Sequence, residues 1–389
     1  AYVEGLDVLG MKFGLRRMRA LLRELGNPHL RDSVHVVGSN GKTSTAHLAA
    51  TLLGSQGARV GLYTSPDILG WRERVRIDGV PVGEERFAGA VSAARDAVES
   101  LRLPDDDGVT QFEVLTAAAF VAFDAAECDV QVLEAGLGGR YDATNVLPTD
   151  RTAVALTNIS LEHTDLLGTT EAAIASEKLA VCRRGGTVTV GPMEPAALTG
   201  TRAAASDRRL VIEAVGEEIT VERGDDSLSV TTPLGRYSDL PQALRGPVQR
   251  GNLAVAISVA ERANGGPLDD LPAARAALAG VRVPGRLELA EGEPPLLIDG
   301  AHNPAGMRAL ADALPEIAGE RAPVVAVMSA LGDKDVDAMA AALSSPVSEV
   351  VATRSSHARA IDSGGLADRL EQAGLAARPV DDPAAAIEA

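Results

Sequence analysis

The stretch Val34-His35-Val36-Val37-Gly38-Ser39-Asn40-Gly41-Lys42-Thr43-Ser44 leads from a β-branched run through a glycine-rich turn into a helical pattern. Backbone N–H groups of such a turn can cradle phosphate oxygens, the Lys42 ammonium adds a compact charge, and the Thr43 or Ser44 hydroxyl can reach a Mg2+ ion. The full P-loop pattern needs glycine where Val36 stands, so this is a shorter GxxGK[ST] form. A structural turn with an incidental lysine is the competing reading, and lysine usage weighs against it. Of 37 basic residues only Lys12, Lys42, Lys178 and Lys334 are lysine. Where a generic positive charge suffices the chain uses arginine, so a lysine marks a need for a compact or titratable amine.

Glu134 closes the apolar run 130–134 and is followed by Ala135-Gly136-Leu137-Gly138-Gly139-Arg140. A carboxylate leaving a buried strand beside a phosphate loop can hold Mg2+, or it can merely cap the strand. The GxGG run is not a dinucleotide fingerprint, because Tyr141 stands where GxGxxG needs its last glycine, so a nicotinamide dehydrogenase loses its main support. His163 lies in Asn158-Ile159-Ser160-Leu161-Glu162-His163-Thr164-Asp165, past the carboxyl end of an expected strand, where parallel sheets gather ligands. A lone histidine is more often structural. Glu177-Lys178 falls inside a helical pattern, either as a solvated salt-bridge face or, with Leu179, Ala180 and Val181 beside a rare lysine, as a site group. Ile298-Asp299-Gly300-Ala301-His302-Asn303-Pro304 again joins a strand to a helix, with more polar groups than a single cap needs.

Alternating strand and helix patterns would position these groups. Strands are expected over 33–37, 59–63, 130–134, 152–157 and 187–190, and helices over 43–56, 84–101, 111–126 and 170–183. Such alternation predicts an α/β fold with a mostly parallel sheet covered on both faces. Over 210–237 the pattern turns short, polar and of period two, predicting an inserted antiparallel hairpin. Helices resume at 252–262 and 271–279. The sequence VRVPG at 281–285 then breaks the pattern, and a second series follows: strands over 296–299, 323–328 and 349–353, helices over 304–314 and 336–343. Two domains are expected, 1–280 carrying the phosphate loop and a smaller, Rossmann-like α/β unit over 281–389.

With 389 residues, 46% hydrophobic and 23% charged, the chain reads as globular rather than disordered. The apolar stretch 114–123 is interrupted by Thr116 and is about half the ~20 residues a membrane span needs. Nothing near Ala1 reads as a signal peptide, so the cytoplasm is the expected location, although a start without Met leaves room for trimming. A net charge of −17 and 3% aromatics speak against nucleic acid as a partner. Cations for an anionic substrate must then be concentrated locally. Cys128 and Cys182 lack any CxxC partner and are expected to be buried structural thiols.

The segments GSNGKTS, GLYTSP with RERVRIDG, TQFEVLTAAAF, LEAGLGGRYDATN, ISLEHTDLLG, SEK, PGRLE, IDGAHNP and LGDKD together resemble the folylpolyglutamate synthase/dihydrofolate synthase family of Mur ligases, over nearly the whole chain. GLYTSP with RERVRIDG, and IDGAHNP, are the folate-specific segments; the phosphate loop is shared by all Mur ligases. The resemblance implies an ATP- and Mg2+-dependent ligase that adds L-glutamate to dihydropteroate, to folates, or to both, through an acyl phosphate. It implies that Gly38, Ser39, Asn40, Gly41, Lys42, Thr43 and Ser44 bind ATP, with Lys42 on the β- and γ-phosphates. Ser65, Glu134 and His163 would hold Mg2+, and Lys178 would be carbamylated to place a carboxylate near a second metal. Asn252, Arg286, Asp299 and His302 would complete the nucleotide site when two domains close. Lys42, Lys178, His163 and His302 are the groups expected to carry catalysis. A monomer acting on small molecules only, with no membrane, is expected.

Departures from the family pattern are Thr43, where glycine is usual, and Asp67 and Arg72, where histidine and asparagine are usual. SEKLAV replaces the usual EKAGI. The sequence also stops short of the glycine-serine strand with which the family usually ends, so that strand of the second domain is expected to be missing. Two other readings stand beside the ligase. One is a muropeptide-type Mur ligase, against which GLYTSP counts. The other is a P-loop kinase or nucleotide-gated binding protein, which leaves Asp299 and His302 without a purpose.

Overall fold

The computed structural model describes residues 2–6, 14–103, 108–319 and 323–389; Lys12 lies outside the described residues. The chain divides into two compact units, Ala1–Ala243 with Gln249–Val283, and Leu244–Val248 with Pro284–Ala389. The first runs α1 (Arg16–Glu24), β1 (Asp32–Val37), α2 (Lys42–Ser55), β2 (Val60–Tyr63), β3 (Val75–Ile77), β4 (Val80–Pro81), α3 (Glu84–Ser100) and α4 (Gln111–Ala125). It continues with β5 (Val130–Glu134), β6 (Thr152–Leu156), α5 (Thr164–Leu167), α6 (Glu171–Leu179), β7 (Thr187–Val190), α7 (Pro195–Asp207) and β8 (Val211–Ala214). These strands form one eight-stranded sheet in the order β4-β3-β2-β5-β1-β6-β7-β8. Along this order all pairs from β2 to β8 are parallel, and at the β4 edge only β3 is reversed, pairing antiparallel with both β2 and β4.

Alternation along the strands sorts the two faces. Tyr63 and Leu133 join the core built with α1, α3 and α4, and α2 packs on β2 and β5. Gly61 is required on the α4 side, since a Cβ there would stand 2.5 Å from the Phe123 ring. Past β1, Val37, Val154, Leu156, Val188 and Val190 meet Ile174, Ala175 and Leu179 of α6 and Ala197, Ala204 and Ala205 of α7.

α4 is buried almost all round, and its start is set by a capping box in which the Thr110 side chain accepts from Glu113 N while the Glu113 carboxylate accepts from Thr110 N. The same carboxylate meets Arg17 Nε of α1 at 3.2 Å, both side chains 6% exposed. Glu113→Ala removes a partner of a buried guanidinium and half of the capping box, and is expected to cost about 2–3 kcal/mol, read as a lower urea midpoint. Cys128 and Cys182 are free and buried, and burial pushes their thiols up to about 11 and about 12.

Several expected elements are redrawn. The hairpin expected over 210–237 is not one element. β8 joins the main sheet beside β7, and β9 (Thr220–Arg223), β10 (Leu228–Thr231) and β11 (Arg236–Leu240) form a separate antiparallel sheet. β8 is an edge strand buried only at Ala214, so its local pattern matches that of the hairpin strands. The helix expected to end at 183 stops at Leu179, where Cys182 N turns back to Leu179 O at 3.0 Å. The helix expected from 252 begins a turn earlier, as α8 (Pro247–Asn264), with proline at its start where no N–H is needed. It is followed by α9 (Leu271–Ala279).

The second unit is α/β as well. β12 (Glu288–Ala290) and β13 (Leu296–Ile298) pair antiparallel, whereas the pattern implied a single strand there. After α10 (Pro304–Ala318), β14 (Val325–Met328), α11 (Val336–Leu343), β15 (Glu349–Ala352), α12 (Ser363–Gln372), β16 (Ala377–Pro379) and α13 (Pro383–Glu388), the three later strands form a parallel sheet in the order β14-β15-β16. Its core gathers Met307, Leu314, Met328, Val336, Met339, Val350, Leu366 and Leu370.

Candidate active site

Strand register brings four segments to the carboxyl end of the large sheet. Val36 pairs with Glu134 on one side and Ala155 on the other, and Tyr63 pairs with Leu133. The glycine turn after β1, the carboxylate ending β5, the 157–160 segment after β6 and the Thr64-Ser65 turn after β2 therefore lie together at strand carboxyl ends.

The turn is laced to its neighbour. Ser39 N donates to Asn158 O at 3.0 Å, Asn40 N to Asn158 Oδ1 at 2.9 Å, and Thr157 Oγ1 to Asn40 O at 2.6 Å. Gly38, at φ 148°, leaves no room for a side chain: a Cβ would stand 1.9 Å from Thr157 Oγ1. Gly41, at φ 80°, opens α2, and a Cβ there would meet Asn252 Oδ1 of α8 at 2.6 Å. Asn252 is held in turn by Gln249, its Nδ2 donating to Gln249 Oε1 at 2.9 Å. In the first turns of α2 the buried Ser44 and Thr45 hydroxyl oxygens have no hydrogen-bond partner among the described residues.

Both lysines of interest converge on this loop. Lys42 Nζ folds back to Gly38 O at 3.0 Å and Ser39 O at 3.1 Å. Lys178 is not on a solvated face. It sits in the last turn of α6, 2% exposed, donating to Gly38 O at 2.9 Å and to Glu162 Oε1 at 2.8 Å. Burial pulls its ammonium down to about 8 against the Glu162 charge, which holds it up, and Lys42 adds to the lowering. Burial works to raise Glu162, but Lys178 and Lys42 outweigh it and hold the carboxyl below its ordinary range. The pair is ionised at neutral pH. The other half of that sequence motif, Glu177, pairs with Arg140 instead, at 2.7 Å.

Glu134, 2% exposed, accepts from Thr43 Oγ1 at 3.1 Å and from the Ser65 amide at 3.2 Å, so it ties the phosphate loop to the TSP turn. Thr43, the departure from the family pattern, thus adds a bond to that carboxylate. Asp67 is engaged with Arg74 at 2.6 Å. His163 is exposed, next in chain to Glu162, in a left-handed backbone conformation that opens α5.

In the second unit Arg286, Asp299, Gly300 and His302 share one turn cluster. Asp299 accepts from Leu287 N at 2.9 Å and Ala301 N at 2.8 Å, and burial raises its carboxyl. His302 Nδ1 lies 2.9 Å from Gly300 O, and a Cβ on Gly300 would stand 2.4 Å from Arg286 Nη1. Asn303 is the helix cap, accepting from Gly306 N at 2.7 Å.

Residues 36–187 match the Mur ligase middle domain, and residues 285–389 match the glutamate ligase domain of Mur ligases. A folylpolyglutamate synthase of Lacticaseibacillus casei is 36% identical over 369 residues, covering 90% of this chain and 83% of the relative. The chain belongs to the folylpolyglutamate synthase/dihydrofolate synthase family of Mur ligases. Within this family the Mycobacterium tuberculosis folylpolyglutamate synthase complexed with ADP superposes with a TM-score of 0.88 at 34% identity, over 96% of this chain and 86% of that one. The Escherichia coli protein in complex with DHPP and ADP gives 0.87 at 28% identity, over 100% and 89%. Family membership makes the chain an ATP-dependent ligase. Among the described residues no helix is long and apolar enough to cross a membrane.

Glu162, Asn158, Thr157 and Ser160 bond to the glycine turn or to Lys178 beside it, and the sequence motifs contain or border them without giving them roles. Asparagine is scarce in this sequence, seven in all, and Asn158 is one of them; no comparable signal marks Glu162.

Proposed function

We propose that the chain joins L-glutamate to dihydropteroate or to a folate, at the expense of ATP, through an acyl phosphate. The observation that carries this is the convergence of Lys42, Glu134 and Lys178 on one glycine loop at the carboxyl ends of β1 and β5.

In this reading the N–H groups at the start of α2 take the phosphates of ATP, and Lys42 leaves its own loop carbonyls to follow the transferring phosphoryl group. Phosphorylation of the pterin carboxylate turns a poor leaving oxygen into phosphate, which the glutamate amine displaces to form the amide. The protein's part is alignment and charge neutralisation. Among the described residues no three His, Cys, Asp or Glu side chains form a ready-made metal centre. Mg2+ keeps waters and binds through one or two carboxylates plus substrate phosphates. The buried Glu134 carboxylate and the partnerless Ser44 hydroxyl fit such an ion, with Ser65 and His163 as further ligands. When bound, Mg2+ supplies neutralisation of phosphate charge. Asn252 supports the loop at Gly41, and the role of Arg286, Asp299 and His302 on ATP rests on the family resemblance.

ADP release should require Mg2+, a pterin carboxylate and L-glutamate together. The deciding assay compares dihydropteroate with tetrahydrofolate, each with and without glutamate. Turnover with a nucleotide-linked muramyl peptide and none with any pteroate or folate would sink the proposal, and glutamate-independent turnover would favour a kinase.

A further inference from the structure

The loop 136–145, between β5 and β6, is clamped from two sides. Toward α6, a Cβ on Gly139 would stand 2.8 Å from Glu177 O and 2.9 Å from Lys178 O. Arg140 N donates to Glu177 O at 3.0 Å, and Asn145 Nδ2 holds Arg140 O at 2.9 Å. The opposite clamp is Asp142, a buried carboxylate that accepts from Leu137 N at 2.8 Å, Thr144 N at 3.0 Å and Thr144 Oγ1 at 2.5 Å. Thr144 Oγ1 lies 2.8 Å from His35 Nε2, in the middle of β1. Burial works to raise the Asp142 carboxyl; with Asp142 ionised, Thr144 gives it its single hydroxyl proton and accepts from His35, which puts the ring proton on Nε2. Burial holds His35 down to about 4, so the ring is a neutral donor at neutral pH. The chain His35 to Thr144 to Asp142 is out of water throughout, with exposures of 1%, 0% and 7%.

We propose that His35 and Thr144 are positioning residues: through Asp142 they hold loop 136–145 in the shape that aims Glu134 and the last turn of α6, with Lys178, at the phosphate loop. The inference rests on the reading of Glu134 and Lys178 as site groups. Its logic is geometric. The loop starts two residues after Glu134 and packs directly on the backbone of Lys178, while its anchor is the strand that ends in the glycine turn. Misplacement of about 1 Å in such a frame can cost on the order of 10²-fold in rate. A core histidine that is merely satisfied would affect stability without this consequence.

Thr144→Val removes the hydroxyl with little change of shape. It should lower kcat by about 10- to 100-fold, raise the Mg2+ concentration for half-maximal ADP release, and speed amide hydrogen exchange in peptides covering 136–145 and 171–179. Peptides of α4 and β7 should exchange as in the wild type. Thr144→Ser keeps the donor and should retain most activity. His35→Gln keeps an N–H near the Nε2 position and should recover part of what His35→Leu loses, a comparison that also decides the matter if Thr144→Val does not fold. Wild-type kcat and loop exchange in a folded Thr144→Val, or equal losses within each conservative and non-conservative pair, would overturn the proposal. A wild-type protein without glutamate-dependent ADP release overturns the functional reading instead, and loop exchange in the variants then still decides whether the network orders the loop.

Discussion

Replacing Lys42 by alanine is expected to lower kcat by at least about 10²-fold while leaving the fold intact, because a preorganised charge on a transferring phosphate is typically worth several kcal/mol. The side chain is only half-buried and its bonds are to carbonyls of its own loop, Gly38 O at 3.0 Å and Ser39 O at 3.1 Å. Its removal therefore opens no core cavity, and thermal unfolding should move little. Lys42→Arg should rescue little. The ammonium is a compact point charge that fits beneath two carbonyls and can turn toward a phosphate, whereas guanidinium is a planar fork with a fixed donor geometry. Single-turnover and steady-state ADP release on both variants check this. Near-normal rates in either would remove the loop from the mechanism.

Lys178→Ala should abolish most activity, again by about 10²-fold or more, and regain part of it with added short carboxylates such as acetate. An ammonium beside Mg2+ repels it, whereas the carbamate formed with CO2 offers the anionic oxygens Mg2+ prefers. Carbamylation needs the neutral amine. Burial brings Lys178 down to about 8, so at fixed dissolved CO2 the carbamylated fraction should rise as pH increases from 7 through 8, measured as the carbamate signal of protein exposed to 13C-bicarbonate. Arginine forms no such adduct, and Lys178→Arg should stay inactive although it can keep a cation near Glu162. Loss of the cation in Lys178→Ala takes away the nearest countercharge of the Glu162 carboxylate and leaves it only Lys42 and Ser39, so that variant should also unfold at lower temperature. The acetate rescue separates the two effects, since a carboxylate added in solution cannot replace a lost cation. A bare lysine at high bicarbonate, together with an active arginine variant, would return Lys178 to the role of a plain ion-pair partner.

Much of the site could be read in the linear chain because it depends on local backbone geometry. A glycine-rich turn between a β-branched run and a helix is a conformational requirement, met at Gly38 and Gly41, which both take positive φ. The apolar strand ending in Glu134 is equally local. Less legible were elements whose pattern is shared by two partners. β8 has the polar alternation of a hairpin strand yet lies in the large sheet, and β12 was hidden in a short, weakly patterned stretch. Four helices, α1, α5, α7 and α12, also stand outside the expected elements, although α1 was legible, since Met18, Leu21 and Leu22 fall on one buried face at helical spacing.

The sequence by itself determined the α/β class, the glycine turn between β1 and α2 and the family resemblance, since each rests on residue types in short, ordered runs. Only the tertiary structure decided that Lys178 is buried against Gly38 rather than solvated, that Glu162 and not Glu177 is its partner, and that His35 reaches Asp142 through Thr144. The physical reason is distance along the chain. Lys178 and Gly38 stand 140 residues apart, and His35 and Thr144 stand 109 apart. Helical periodicity specifies which residues share a face, but the other elements packed against that face decide whether a lysine on it meets water or a carboxylate.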